Sequence, residues 1–450
     1  MKTFSMKHRV GIVWLQNELR TDDNPLLCKA AAECQQLIVL YCANPKWFDA
    51  NRYGLRSIGE RRWRFIWESL TNLDALLQQL GQQLLVLPQS PLHAIAELIT
   101  AHNVDALYYA EHPGVYERTY AELLKRRYPL LQHHAMGSQS LWEQQQLPFT
   151  LTDLPDSFSK FRRQLEQKDL RDAIPAPLSS PRQLPPPPAG LRAVPRQPLP
   201  VVTAPQHSQF VGGSHAAYEH VQAYFASGAA STYKETRNAL DSWSASTKFS
   251  AWLADGSLSV RRLHQQLLNY EQQQGANEST YWIFFELLWR EYFHWYGHRH
   301  GRSLFAFNGI RQQRPQTSFY AGRWQQWCSG TTPFPIVNAC MNQLNATGYL
   351  SNRGRQLVAS CFVHELQLDW RYGAAFFEQQ LIDYDVSSNW GNWQYLAGVG
   401  ADPRGHRRFD LDKQTRQYDP NGDFIARWHG KVEATLDWVD AADWPIHPPK

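Results

Sequence analysis

Several signatures that would place a chain of 450 residues in a familiar enzyme class are missing here. There is no G-x-G-x-x-G and no G-x-x-x-x-G-K-[ST], so ordinary dinucleotide-binding and P-loop assignments lose their support. The six cysteines (Cys28, Cys34, Cys42, Cys328, Cys340 and Cys361) contain no C-x-x-C pair. Free thiols in a reducing compartment are expected, which points to the cytoplasm. No apolar run approaches the ~18 residues that a membrane span requires. The run Val10-Gly11-Ile12-Val13-Trp14 is too short for the core of a signal peptide and reads as a buried strand. His364-Glu365 lacks the second histidine of H-E-x-x-H, and His294, His298 and His300 have no other part of a metal signature beside them, so no metal is expected. A strong excess of either charge is also missing: the net charge of +4 is compatible with a polyanionic partner and does not demand one.

What is plentiful is tryptophan, with five of 18 before residue 150 and thirteen after residue 240. Indoles at that density serve as core, as base-stacking surface or as an electron path, and core accounts for most of them. Hydrophobic residues at 43% and charged residues at 19% describe a globular chain long enough for more than one core. Short apolar runs at 10–14, 37–41, 84–87, 106–109 and 132–136 read as strands. They alternate with amphipathic stretches at 25–34, 59–80, 91–101 and 114–127. This rhythm predicts a doubly wound parallel α/β domain over 1–140, with any ligand at the carboxyl ends of the strands. From Pro175 to Pro205 prolines dominate, with four in a row at Pro185 to Pro188, and an extended connector is expected over 141–213. Helical periodicity then prevails, so 214–450 is expected to be all-α.

Four groups of residues carry chemistry. Tyr233-Lys234-Glu235-Thr236-Arg237-Asn238 and Ser246-Thr247-Lys248-Phe249-Ser250 bring closely spaced hydroxyls and a lysine, which suit a pyrophosphate. Glu286, Trp289 and Arg290 stand at i, i+3 and i+4, so one helical face shows a carboxylate, an indole and a guanidinium. Gly348-Tyr349-Leu350-Ser351-Asn352-Arg353-Gly354-Arg355-Gln356 follows, then Asp383-Tyr384-Asp385 and Ser387-Ser388-Asn389-Trp390-Gly391-Asn392-Trp393-Gln394-Tyr395. Near the N-terminus, Val13-Trp14-Leu15-Gln16-Asn17-Glu18-Leu19-Arg20-Thr21-Asp22-Asp23-Asn24 ends in a helix cap, Asn24-Pro25. In this order and at these separations the strings resemble the photolyase/cryptochrome family over almost the whole chain except the proline-rich connector. The cryptochrome DASH branch is the nearest match, through Asn-Arg-Gly-Arg-Gln, Tyr395 and Gly400-Ala401-Asp402-Pro403-Arg404. The (6-4) photolyase branch is disfavoured, because the stretch after Asn352 lacks a histidine pair.

The resemblance implies one FAD per chain. Tyr233 and Ser246, Thr247, Lys248, Phe249 and Ser250 would hold its phosphates and ribitol. Arg290 would help bind the cofactor, and Asn352, Arg355, Asp383 and Asp385 would surround the ring system, with Arg355 paired to Asp383 and Asn389 facing the reactive flavin nitrogen. Glu286, Trp289, Arg353, Gln356 and Tyr395 would line a lesion pocket, and Arg237 would touch the DNA backbone. Glu117 matches the carboxylate that binds a folate antenna, 5,10-methenyltetrahydrofolate, although Tyr116 replaces the neighbouring asparagine of bacterial photolyases. The implied activity is blue-light splitting of cyclobutane pyrimidine dimers by an electron from reduced FAD, with single-stranded or locally unpaired DNA as the preferred partner. RNA is a further partner class, a monomer is expected, and a photoreceptor that signals through a partner is the competing reading. Family members relay electrons to FAD through three tryptophans. Trp393 and Trp370 match two of these, whereas the third position falls on Thr317. Trp324 is the expected substitute, with Tyr320 behind it and Trp327 read as core.

Overall fold

The computed structural model describes residues 7–191, 209–401 and 407–436. Arg404, Asp402 and Pro403 of the DASH-like stretch, and the prolines at 195, 198, 200 and 205, lie outside these residues. Strands β1 (His8–Leu15), β2 (Cys34–Cys42), β3 (Leu84–Leu87), β4 (Ala106–Ala110) and β5 (Gln132–Met136) form one sheet in the order β3-β2-β1-β4-β5. All four neighbouring pairs are parallel. Helices α1 (Pro25–Glu33), α2 (Glu60–Gln79), α3 (Pro91–His102) and α4 (Val115–Arg127) make the crossovers.

Side-chain alternation divides each strand between two cores. Val13, Leu15, Leu37, Val39 and Tyr41 pack with Leu26, Leu27, Trp63, Leu70 and Leu73 of α1 and α2. Val10, Ile12, Trp14, Ile38 and Leu40 pack with Ala94, Ile95, Leu98 and Leu124 of α3 and α4. A sheet buried on both faces must read as continuous apolar runs, as these strands do. The Asn24-Pro25 cap forms as expected: the Asn24 side chain accepts from the backbone N–H groups of Leu26 and Leu27.

The second half is helical: α5 (Phe158–Glu166), α6 (Ser214–Ala226), α7 (Tyr233–Thr236), α8 (Ser250–Asp255), α9 (Val260–Gln274), α10 (Glu278–His300), α11 (Ala321–Ser329), α12 (Pro335–Thr347), α13 (Asn352–Ser360), α14 (Trp370–Gln380), α15 (Val386–Leu396), α16 (Leu411–Tyr418) and α17 (Asp423–Arg427). The first part of the expected connector is not extended. It carries α5 and places Leu141, Trp142, Phe158 and Phe161 in the large helical core, because apolar residues at this spacing gain more by packing there than by running over the surface.

The N-terminal motif turns out to be a joint between the halves. Arg20 is buried and donates to the carbonyls of Gly256, Asp23 and Ser138. Asn17 donates to the Ala254 carbonyl at 2.8 Å, and Arg262 grips both oxygens of Asp22 at 2.8 and 2.7 Å. Gly256 has φ +72, and a Cβ there would run into the Asn17 carbonyl, so glycine is required for both conformation and contact.

Candidate functional site

Between α8, α13 and the loop before α15, the structure assembles a charged group in the interior. Lys248 is 7% exposed, at φ +55, and donates to Ser246 Oγ at 2.8 Å. Its ammonium lies 5.2 Å from the Tyr349 ring centroid. Among the described residues no carboxylate pairs with it, and burial lowers its pKa to about 8. Arg355 holds both oxygens of buried Asp383, at 2.9 and 2.7 Å, and Ser250 Oγ donates to the same carboxylate at 2.7 Å. Asp385 caps α15 by accepting from the Ser388 N–H at 2.7 Å. One turn on, buried Asn389 donates to the Ala374 carbonyl at 2.9 Å. Asn352 is exposed at the start of α13 and shares none of these bonds. Tyr233 is buried nearby on α7, where desolvation pushes its hydroxyl well above the usual range. A buried ammonium with a hydroxyl partner and no carboxylate is a donor set suited to phosphate, so these residues fit the diphosphate cofactor that the sequence implies.

Helix α10 supplies the second group. Glu286 pairs with Arg237, and burial raises its carboxyl above the ordinary value while that guanidinium opposes the shift. Arg237 also lies 4.7 Å from the Trp282 ring, so it is held against α10 by two side chains. Arg290 donates to the carbonyls of Gln139 and Leu253 at 2.6 and 3.2 Å. Trp289 and Tyr395 meet edge to face at 6.2 Å and 80°. The sequence did not reveal that Phe158 stacks on Trp289 at 3.8 Å and 11°, or that the Arg407 guanidinium covers Tyr395 at 4.5 Å. The first joins segments more than a hundred residues apart, and the second reaches back across the end of α15, beyond helical spacing, so neither carries a local signal. Arg353 donates to Asn238 and Gln414 and lies 4.7 Å from the Tyr418 ring; Gln356 is half-buried one turn along from Asn352.

The close ring contacts of the tryptophans fall into two sets. Trp393 is buried against Trp327, Phe362 and Phe377, with ring centroids at 6.2, 5.5 and 5.2 Å. Trp370 meets Trp390 at 5.9 Å. Trp324 stacks on Trp327 at 6.1 Å and 21°.

A cavity of about 590 Å³ opens where the two halves meet, at the carboxyl ends of β1 and β2. Trp14, Tyr41, Trp47, Tyr53, Phe305 and Trp390 give it aromatic walls, and Glu117, Asp255, Glu378 and Asp385 give it carboxylates. Exposed Tyr116 stands at its wall beside Glu117. Burial raises the Tyr53 hydroxyl above its ordinary value, and it lifts the Glu378 carboxyl to about 7 against the opposing charge of Arg62. Elsewhere, among the described residues, His8, Glu33 and His134 form the one group of metal-type ligands. Its carboxylate already pairs with Lys7 and Lys29 and accepts from Tyr108.

A doubly wound α/β half joined to a helical half with these two interior sites defines a protein of the photolyase/cryptochrome fold. Family models agree: one described as DNA photolyase matches residues 11–181, and one described as the FAD binding domain of DNA photolyase matches 282–445. The chain belongs to the cryptochrome DASH family. It is 52% identical to a cryptochrome DASH of Idiomarina loihiensis, covering 98% of this chain and 97% of that one. It is 51% identical to that of Vibrio parahaemolyticus, with 98% of each covered. The crystal structure of a Synechocystis cryptochrome superposes with TM-score 0.89 at 36% identity, covering 95% of this chain and 89% of that one. No helix among the described residues is long and apolar enough to cross a membrane.

Proposed function

We propose that this protein splits cyclobutane pyrimidine dimers under blue light, preferentially in single-stranded or locally unpaired DNA. The observation that carries the reading is the pairing of Glu286 on α10 with Arg237 at the end of α7, one helical turn from the Trp289–Tyr395 corner. Bound in the neighbouring interior site, FAD supplies an electron when excited by light. Lys248 and Ser246 would hold its phosphates, while Arg355, Asp383 and Asn389 would face its ring system. Glu286 is the group that orients the lesion. Burial keeps its carboxyl above the ordinary value, so it is poised to donate or share a proton with the dimer carbonyls as negative charge arrives there. Trp289 and Tyr395 would wall the flipped bases, each such stack contributing about 1–3 kcal/mol.

Preference for single strands follows from the same corner. Phe158 already covers one face of Trp289, and a phenol offers less stacking area than an indole. Less energy is then available to offset unstacking a base from a duplex. The interdomain cavity, with Glu117 and Glu378 among aromatic walls, suits a folate antenna whose amino-pteridine ring donates to carboxylates. Illumination of the purified flavoprotein with a dimer-containing oligonucleotide tests the proposal. Repair faster on single strands than on duplex supports it, and no repair on any DNA transfers the function to photoreception.

A further inference from the structure

We infer that Trp327 relays the electron that photoreduces the flavin, in the order Trp324 to Trp327 to Trp393, bypassing Trp370. The inference rests on the flavin reading proposed above. Trp393 and Trp327 lie 6.2 Å apart at 73°, and Trp327 and Trp324 lie 6.1 Å apart at 21°. Phe362 packs against all three indoles, at 5.5, 4.6 and 6.0 Å. Trp393 and Trp327 are buried at 2% and 0% exposure, whereas Trp324 is half-buried. The line therefore runs from the interior to solvent. Among the described residues the ring contact of Trp370 is buried Trp390, on the wall of the interdomain cavity, and the rings beyond it are Tyr53 and Phe305 rather than a further indole; the Trp370 indole donates to the Phe307 carbonyl. Thr317 cannot be oxidised by an indole radical. Tyr320 is a poor exit, because the Arg323 guanidinium lies 4.8 Å from its ring and opposes positive charge there. Among the described residues no cation lies over Trp324, Trp327 or Trp393.

Each step moves one electron inward. Trp393 gives an electron to the flavin, its radical cation takes one from Trp327, and that in turn takes one from Trp324. The Trp324 radical cation releases its indole proton to water. An external thiol then restores Trp324 with one electron and one proton, and two oxidised thiols pair as a disulfide. The test compares Trp393→Phe, Trp327→Phe, Trp324→Phe and Trp370→Phe holoproteins by flavin content, thermal unfolding, time-resolved absorption of tryptophan radicals, and photoreduction with a thiol. Trp327→Phe should lose the long-lived radical and photoreduction while keeping flavin, Trp324→Phe should shorten the radical lifetime, and Trp370→Phe should retain both. Loss in Trp370→Phe with retention in Trp327→Phe overturns the route. If Trp327→Phe sheds flavin, half-buried Trp324 decides: an unchanged radical lifetime in Trp324→Phe overturns the route. Photoreduction surviving in Trp393→Phe would instead overturn the flavin placement itself.

Discussion

Lys248→Met separates the cost of burying a charge from its use. In the flavin-free protein, burial displaces the ammonium from 10.5 to about 8, equivalent to about 3 kcal/mol of destabilisation below pH 8. Between pH 8 and 10.5 the unfolded chain binds more protons at this site than the folded one, so stability rises with pH there as the cost is relieved. Methionine removes the charge, but it also loses the bond to Ser246 and the contact with Tyr349, each about 1 kcal/mol. The flavin-free variant should therefore be more stable than the parent by about 1 kcal/mol at neutral pH. Its affinity for FAD should fall by about 2 kcal/mol, near thirtyfold, through loss of a charge-assisted bond to phosphate. Parent affinity should weaken as pH rises above about 8, when the lysine of the free protein is neutral, and the variant should show no such slope. Calorimetric FAD titration from pH 7 to 9.5, with urea unfolding of both flavin-free proteins, measures all of this. Equal affinities, or a flat parent profile, would refute the assignment of Lys248 to the phosphates.

Glu286→Ala should lower dimer repair about tenfold or more while flavin content stays near normal, as read by product analysis and absorption. Unchanged repair would remove Glu286 from the mechanism. Burial raises the Asp255 carboxyl from 3.8 to about 6, so the folded state holds its proton longer and stability falls by about 3 kcal/mol as pH rises from about 4 to about 6. Asp255→Asn should lack that component in urea unfolding at pH 4 and 6, and parallel profiles would show that the joint with Ser69 and Ser257 does not titrate. Dimer-containing single strands should bind less tightly as salt rises, because phosphate contacts release counterions; affinity independent of salt would argue against a DNA groove.

The α/β half was legible in the sequence because its information is local. Strand runs buried on both faces, 3.6-residue periodicity and the Asn24-Pro25 cap act within a few residues, and the observed elements follow the expected ones closely. The pairing of Arg355 with Asp383 was also expected, and it formed. Other features needed the folded chain. Leu141 to Phe161 looked like the start of a connector, yet apolar area drew it into the helical core. The string at 13–24 matched its family, but nothing local revealed that Arg20 and Asn17 would bolt the two halves together through carbonyls near residue 255. Trp327 read as core and is fully buried, and only packing placed it between Trp393 and Trp324. The stack of Phe158 on Trp289 and the interdomain cavity likewise join segments more than a hundred residues apart. Periodicity states which face of an element is apolar; which distant face meets it is decided by the close packing of whole elements, and the site chemistry depends on those meetings.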